Sequence, residues 1–172
     1  MNVEKSQPYE DLNIVASIEA RMHSSRLPGK VLEKVCGKPI LQHIVERISR
    51  SRYVNSVVIA TSTGDADDII EEFAIKNNVS IYRGSEDDVL LRVVESHQKM
   101  DSDIVVEITG DCPLLDPEII DLGIETFLAN DCDVVTNVKV PSYPEGADVQ
   151  VFKTAALSTV EVAEVPSAFS EV

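Results

Sequence analysis

Six stretches of this chain carry the apolar runs expected of β-strands, and helical patterning separates most of them. Residues 12–18 (LNIVASI) form a continuous apolar run rich in β-branched side chains, the mark of a strand buried on both faces. Residues 55–61 (NSVVIAT) and 103–109 (DIVVEIT) read the same way. Residues 79–83 (VSIYR) are shorter and more polar, 132–137 (CDVVTN) make a fifth strand, and 148–152 (DVQVF) alternate. Between them, Pro39 opens a stretch in which Ile40, Leu41, Ile44, Val45 and Ile48 share one helical face. Gly64 or Asp65 starts a second helix that turns Ile69, Ile70, Phe73 and Ala74 inward. Residues 85–100 read as a third, with Ser85 as its N-cap and acids in its first turn. Asp116 caps a fourth that begins at Pro117 and buries Ile120, Ile124 and Phe127, and a last helix starts near Thr154. His43 and His97 fall on helix surfaces in this reading. The alternation predicts an α/β fold, a Rossmann-like three-layer α/β/α sandwich around a mostly parallel, doubly wound sheet. Ligands in such folds sit beyond the carboxyl ends of strands, which brings the loops 19–30 and 109–116 to one mouth.

Charge sharpens the picture. The 172 residues hold 15 Lys and Arg against 30 Asp and Glu, a net charge of −15. Such a balance argues against nucleic acid polymers, whose phosphates it repels, but not against a small anion in a local pocket. Against this background, ARMHSSRLPGK (20–30) concentrates Arg21, Arg26 and Lys30 in one short loop. Three scattered cysteines make neither a disulfide framework nor a zinc site and point to a reducing cytoplasm. The first residues lack the apolar core of a signal peptide, and no run approaches the ~20 apolar residues that span a bilayer. Residues 1–11 are expected to be a loose tail and 12–172 a single domain.

The basic loop supplies forked donors from Arg21 and Arg26, hydroxyls from Ser24 and Ser25, and the Lys30 ammonium, with Gly29 allowing close backbone approach. Together these could neutralise most of a triphosphate. The loop is neither a Walker A motif nor a dinucleotide fingerprint, and a plain solvated basic loop is the competing reading. Opposite it, ITGDCPLLDPE (108–118) delivers Gly110 and Asp111 to the mouth. A carboxylate at a strand end suits a Mg²⁺ held against substrate phosphates, the competing reading being a turn aspartate. Cys112 has no histidine nearby in sequence to activate it and is read as inert. The strings Asp101-Ser102-Asp103 and Asp131-Cys132-Asp133 precede strands and are read as turns, whereas RGSEDD (83–88) reaches the mouth.

The segments ARMHSSRLPGKVL, GKPILQHIVERI, VVIATS, IYRGSEDDVLLR, EITGDCPLLDPEII and YPEGADVQVF resemble the cytidylyltransferase family that includes spore coat polysaccharide biosynthesis protein F and, more distantly, the CMP-KDO synthetases. The resemblance runs from about residue 13 to 160. It implies a nucleotide-diphospho-sugar transferase fold, CTP as the nucleotide, Mg²⁺ as cofactor, a small sugar acceptor and pyrophosphate release, in the service of surface polysaccharide synthesis. Carried over residue by residue, Ala20, Arg21, Ser24, Ser25, Arg26 and Lys30 match the nucleotide-phosphate loop, with Arg21, Arg26 and Lys30 acting on the reacting phosphates. Thr109 and Gly110 line the nucleotide side of the turn that holds the metal-binding Asp111. Ser85 and Arg92 fall near the base, and Asp148 matches an acid on the sugar side. The chain departs from the family at Glu19, where a glutamine is usual, at Leu91, where an acid is usual, and at Glu107, where an arginine is common. The glutamate at 19 is expected to set negative charge beside the phosphates. The resemblance also implies that a C-terminal part is lacking, with the later D-T-P-E-D-type segment whose aspartate resembles a second metal ligand. Two alternatives stay open at this point: a catalytically silent nucleotide-binding domain, and a transferase using another nucleotide. Self-association as a homodimer is likewise open.

Overall fold

The computed structural model describes residues 11–24, 26–140, 143–157 and 159. All but the last residue of the expected N-terminal tail, as well as Ser25, fall outside this range, as do Pro141 and Ser142 in the 137–148 loop. The apolar run after Asn13 forms β1 (Ile14–Glu19), and the next two form β4 (Ser56–Ser62) and β5 (Ser80–Gly84). Strand β6 (Ile104–Thr109) follows, then β7 (Val134–Thr136) and β8 (Gln150–Lys153). Two short strands unforeseen in the sequence, β2 (Lys34–Val35) and β3 (Lys38–Pro39), make a small antiparallel hairpin after the basic loop. The helices are α1 (Ile40–Ile48), α2 (Asp68–Lys76), α3 (Val89–Lys99), α4 (Pro117–Ala129) and the one-turn α5 (Thr154–Leu157).

Among the described residues the main sheet runs β5-β4-β1-β6-β8-β7. Its first four strands are parallel, while β8 lies antiparallel to both β6 and β7. The sheet is therefore mostly parallel, with one reversed strand near an edge. Strand β8 is the one whose sequence alternates, as suits an antiparallel strand with unequal faces.

The two faces of the sheet differ chemically. On one, Ile14, Ala16 and Ile18 of β1 join Ile59 and the β6 residues Ile104, Val106 and Ile108. Leu41, Ile44 and Ile48 of α1, Ile70 and Phe73 of α2, and Ile120 and Ile124 of α4 close over them in one apolar cluster. The opposite face is crossed by α3, which packs on β5, β4 and β1. There the buried side chains include Ser17 from β1 and Arg92, Ser96 and His97 from α3. His97 is 1% exposed, which corrects its reading as a helix-surface residue. Its Nδ1 lies 2.9 Å from Ser102 Oγ, which in turn meets Thr154 Oγ1 at 3.1 Å, tying the end of α3 to the starts of β6 and α5.

Helix α3 also begins later than its pattern suggests. Its N-cap is Asp88, whose side chain accepts from the Leu91 amide at 2.8 Å, and not Ser85. The Ser85 hydroxyl instead accepts from the Asp88 amide, holding the turn that precedes the helix. Asp116 does cap α4, accepting from the Glu118 amide at 3.0 Å. Among the described residues no helix is long and apolar enough to cross a membrane.

Candidate active site

Beyond the carboxyl end of β1 the chain turns through the basic loop and closes on itself. The Gly29 amide donates to the Met22 carbonyl at 2.8 Å, and a 3₁₀ turn at Lys30–Leu32 follows. Gly29 has φ +74°, and a Cβ there would stand 3.2 Å from the Met22 methyl, so a side chain would be strained and crowded. This closure faces Arg21, His23, Ser24, Arg26 and Lys30 into a cavity of about 420 Å³. The Arg21 Nη1 also donates to the Glu86 carbonyl at 2.7 Å, and His23 Nδ1 lies 3.2 Å from the Glu86 carboxylate. The 83–88 loop after β5 thus abuts the basic loop. His23 lines the cavity although nothing in its sequence context marked it.

The far wall comes from the turn after β6, with Thr109, Gly110 and Asp111. Gly110 is buried against β1, where a Cβ would meet the Glu19 carbonyl oxygen at 2.3 Å, so only glycine lets the two strand ends approach this closely. That approach carries Asp111 to Lys30, and the ammonium donates directly to the carboxylate. Partial burial raises the Asp111 carboxyl, but the Lys30 hydrogen bond and charge, with help from Thr109, outweigh it and hold the group below the ordinary carboxylate range. Asp111 is therefore ionised at neutral pH. Lys30 thus meets the carboxylate at 111 directly, and Arg21 and Arg26 line the same cavity.

The floor is formed by Glu19, on the polar face of the sheet. Its carboxyl is pushed up to about 8, first by burial, then by a hydrogen bond to Glu107 and that residue's charge, against the opposing pull of Arg92 and Arg21. At neutral pH the Glu19–Glu107 pair therefore keeps a proton, so the two carboxyls together bring one negative charge to the floor and not two. Gln150 Nε2 donates to the other partner, Glu107, at 3.2 Å.

Other predicted site residues stand behind or beside the cavity. Ala20 is buried and packs against Gly110, bringing no side chain to the cavity. Arg92 is 1% exposed, and its Nη1 donates to the Ser85 carbonyl, bracing the 83–88 loop from beneath. Ser85 holds that same turn. Asp148 lies near enough to Cys112 to act on its thiol, so the 146–148 segment borders the turn that holds Asp111. Burial above all, with Asp111 and Asp148 adding to it, pushes the Cys112 thiol up, in keeping with an inert cysteine. Among the described residues no three His, Cys, Asp or Glu side chains converge as a metal-binding group.

A profile of the cytidylyltransferase family matches residues 15–164. The spore coat polysaccharide biosynthesis protein SpsF of Bacillus subtilis (strain 168) is 35% identical over 133 residues, covering 75% of this chain and 55% of that protein. The 3-deoxy-manno-octulosonate cytidylyltransferase of Trichlorobacter lovleyi is 37% identical over 122 residues, 69% of this chain and 46% of that protein. Among solved structures, a cytidylyltransferase from Leptospira borgpetersenii serovar Hardjo-bovis matches with a TM-score of 0.81 at 36% identity, over 86% of this chain and 63% of that one. CMP:2-keto-3-deoxy-manno-octonic acid synthetase, solved in complex with CTP, shares the fold with a TM-score of 0.68 at 23% identity, over 85% of this chain and 76% of that one. The chain spans about half the length of the curated relatives it matches. With the profile covering all but the ends and the first-strand loop built as described, this chain belongs to the cytidylyltransferase family.

Proposed function

We propose that this domain binds CTP in the cavity between the basic loop and the Asp111 turn, and transfers its CMP moiety to a sugar destined for a surface polysaccharide. An oxygen of the sugar, either a hydroxyl or a phosphate it already carries, attacks the α-phosphorus. The bond to the β-phosphate oxygen breaks, pyrophosphate leaves, and a hydroxyl nucleophile gives its proton to solvent. There is little covalent chemistry for side chains to perform, so positioning and charge stabilisation carry the rate. Lys30 and Arg26 offset the charge of the departing pyrophosphate, and Arg21 approaches the phosphates from the Glu86 side. Asp148, bordering the Asp111 turn, is assigned to the sugar side.

The residues present fit a Mg²⁺ ion that arrives with the nucleotide. Asp111 is an ionised, solvent-accessible oxygen donor at the cavity wall, and this ion takes one or two protein carboxylates with phosphate oxygens completing its shell. Bound there, it would supply charge neutralisation across the phosphates. The cytoplasm is the compartment in keeping with a nucleoside triphosphate substrate and with Cys36, Cys112 and Cys132 all free.

The observation that carries this reading is the direct Lys30–Asp111 contact across the cavity. The two ligand-binding charges already face each other, and a metal-bound triphosphate would take both as partners. Pyrophosphate release with CTP and a panel of sugar acceptors tests it. Lys30→Met and Asp111→Asn are each expected to lower the rate about 10²–10³-fold, the usual cost of one transition-state donor. Near-native release by both variants would overturn the assignment.

A further inference from the structure

We infer that Asp67 is the positioning residue of the cationic loop, fixing the backbone from which Arg21 and His23 reach the cavity; the inference rests on the nucleotide-binding role proposed above. Asp67 closes the 3₁₀ turn Asp65–Asp67 and is 3% exposed. A carboxylate so deeply buried persists only when its oxygens are well supplied with donors. One oxygen, Oδ1, accepts from the Met22 amide at 2.7 Å. The other accepts from the Ser62 amide at 3.1 Å and the Ser62 hydroxyl at 2.5 Å. Although Asp67 occupies the N-cap position of α2, its side chain caps no amide of that helix. Its hydrogen-bonding capacity is spent on joining the end of β4 to the loop that follows β1.

Met22 is the point at which that tether acts. Its N–H is held by Asp67 and its C=O by the Gly29 amide, so the residue is pinned from both sides of the loop. Arg21 and His23 flank it in sequence, and both reach the Glu86 segment from this fixed backbone. Asp67 itself does not line the cavity, so it works entirely through Met22. Three donors converge on two oxygens, an arrangement that only a group without hydrogens of its own can satisfy. An asparagine of nearly the same shape would turn an NH₂ towards an N–H and leave one anchor broken.

Asp67→Asn is therefore expected to loosen the loop selectively. Measured by amide hydrogen exchange, the Met22 and Gly29 amides should exchange at least tenfold faster, while those of Ile44 and Ile120 in the apolar core stay within about twofold. Titration calorimetry with tripolyphosphate in the presence of Mg²⁺ should show about tenfold weaker binding. Ser62→Ala, which leaves the Met22 tether in place, should bind within about threefold of the unaltered protein. Core amides that accelerate as much as the loop would reduce Asp67 to a stability residue and overturn the inference. Should Asp67→Asn not fold, the unaltered protein decides, because a Met22 amide exchanging at the rate of an unstructured peptide amide contradicts the tether. Binding by the unaltered protein with no change in the variant overturns the inference alone. No binding of tripolyphosphate or CTP by the unaltered protein with Mg²⁺ present overturns the functional reading along with it.

Discussion

On the α3 side of the sheet His97 is buried and Glu19 half-buried, and each favours its neutral form there. Glu19 is raised to about 8, so between its ordinary value near 4.5 and about 8 the folded chain keeps a proton that the unfolded chain has lost. Its contribution to stability is complete at low pH and declines as pH rises through that window. Burial lowers His97 to about 4, so between 6.5 and about 4 the unfolded chain takes up a proton that the folded chain refuses. Its contribution is lost as pH falls. From about pH 4.5 to 6.5 the two proton counts cancel, and above 6.5 only the Glu19 slope remains. Urea denaturation should show a stability plateau followed by a loss on the order of 2 kcal/mol between pH 6.5 and 8, at about 1.4 kcal/mol per unit. Glu19→Gln should abolish that loss, and a variant that still loses stability there would contradict a protonated Glu19. From sequence, both residues were placed by the chemistry of solvated side chains. The proton on Glu19 depends on Glu107, a residue far away in the chain that parallel pairing brings alongside.

Among the elements, the parallel strands were legible because burial on both faces leaves an unbroken apolar run, which little else in a chain of this size produces. Helix α3 was legible as a helix but not in its orientation. Arg92, Ser96 and His97 look like an outward stripe only if the partner surface is assumed to be apolar, whereas the sheet presents Ser17, Glu19 and Glu107 to that side. The start of α3 was misplaced because Ser85 and Asp88 are both good caps three residues apart, and a local pattern cannot rank them. Removing the true cap with Asp88→Ala should cost about 1 kcal/mol, and Ser85→Ala less, by thermal denaturation. Packing of β1 against the end of β6 is less tolerant. Gly110→Ala would drive a methyl group into the Glu19 carbonyl and should destabilise the fold by about 1–3 kcal/mol or more, because backbone has to yield.

Across the whole molecule, acidity and a cationic cavity coexist because they act over different distances. A net charge of −15 repels extended polyanions, while Arg21, Arg26 and Lys30 gather on one wall of a cavity and act at contact range. Gel retardation with duplex DNA at physiological salt should show no complex, and salt-reversible binding would argue for a basic surface elsewhere. The position of the mouth was readable in advance, since loops after adjacent parallel strands must share an edge. The tether through Asp67 was not, because a buried acid in a short turn looks like any capping residue until its partners are seen. The Lys30–Asp111 contact has one further consequence. An incoming anion on its own leaves Asp111 without a counter-charge, and an incoming cation on its own does the same to Lys30. If the pair holds the ligand as proposed, it should act as a two-key lock that favours ligands presenting both signs at once.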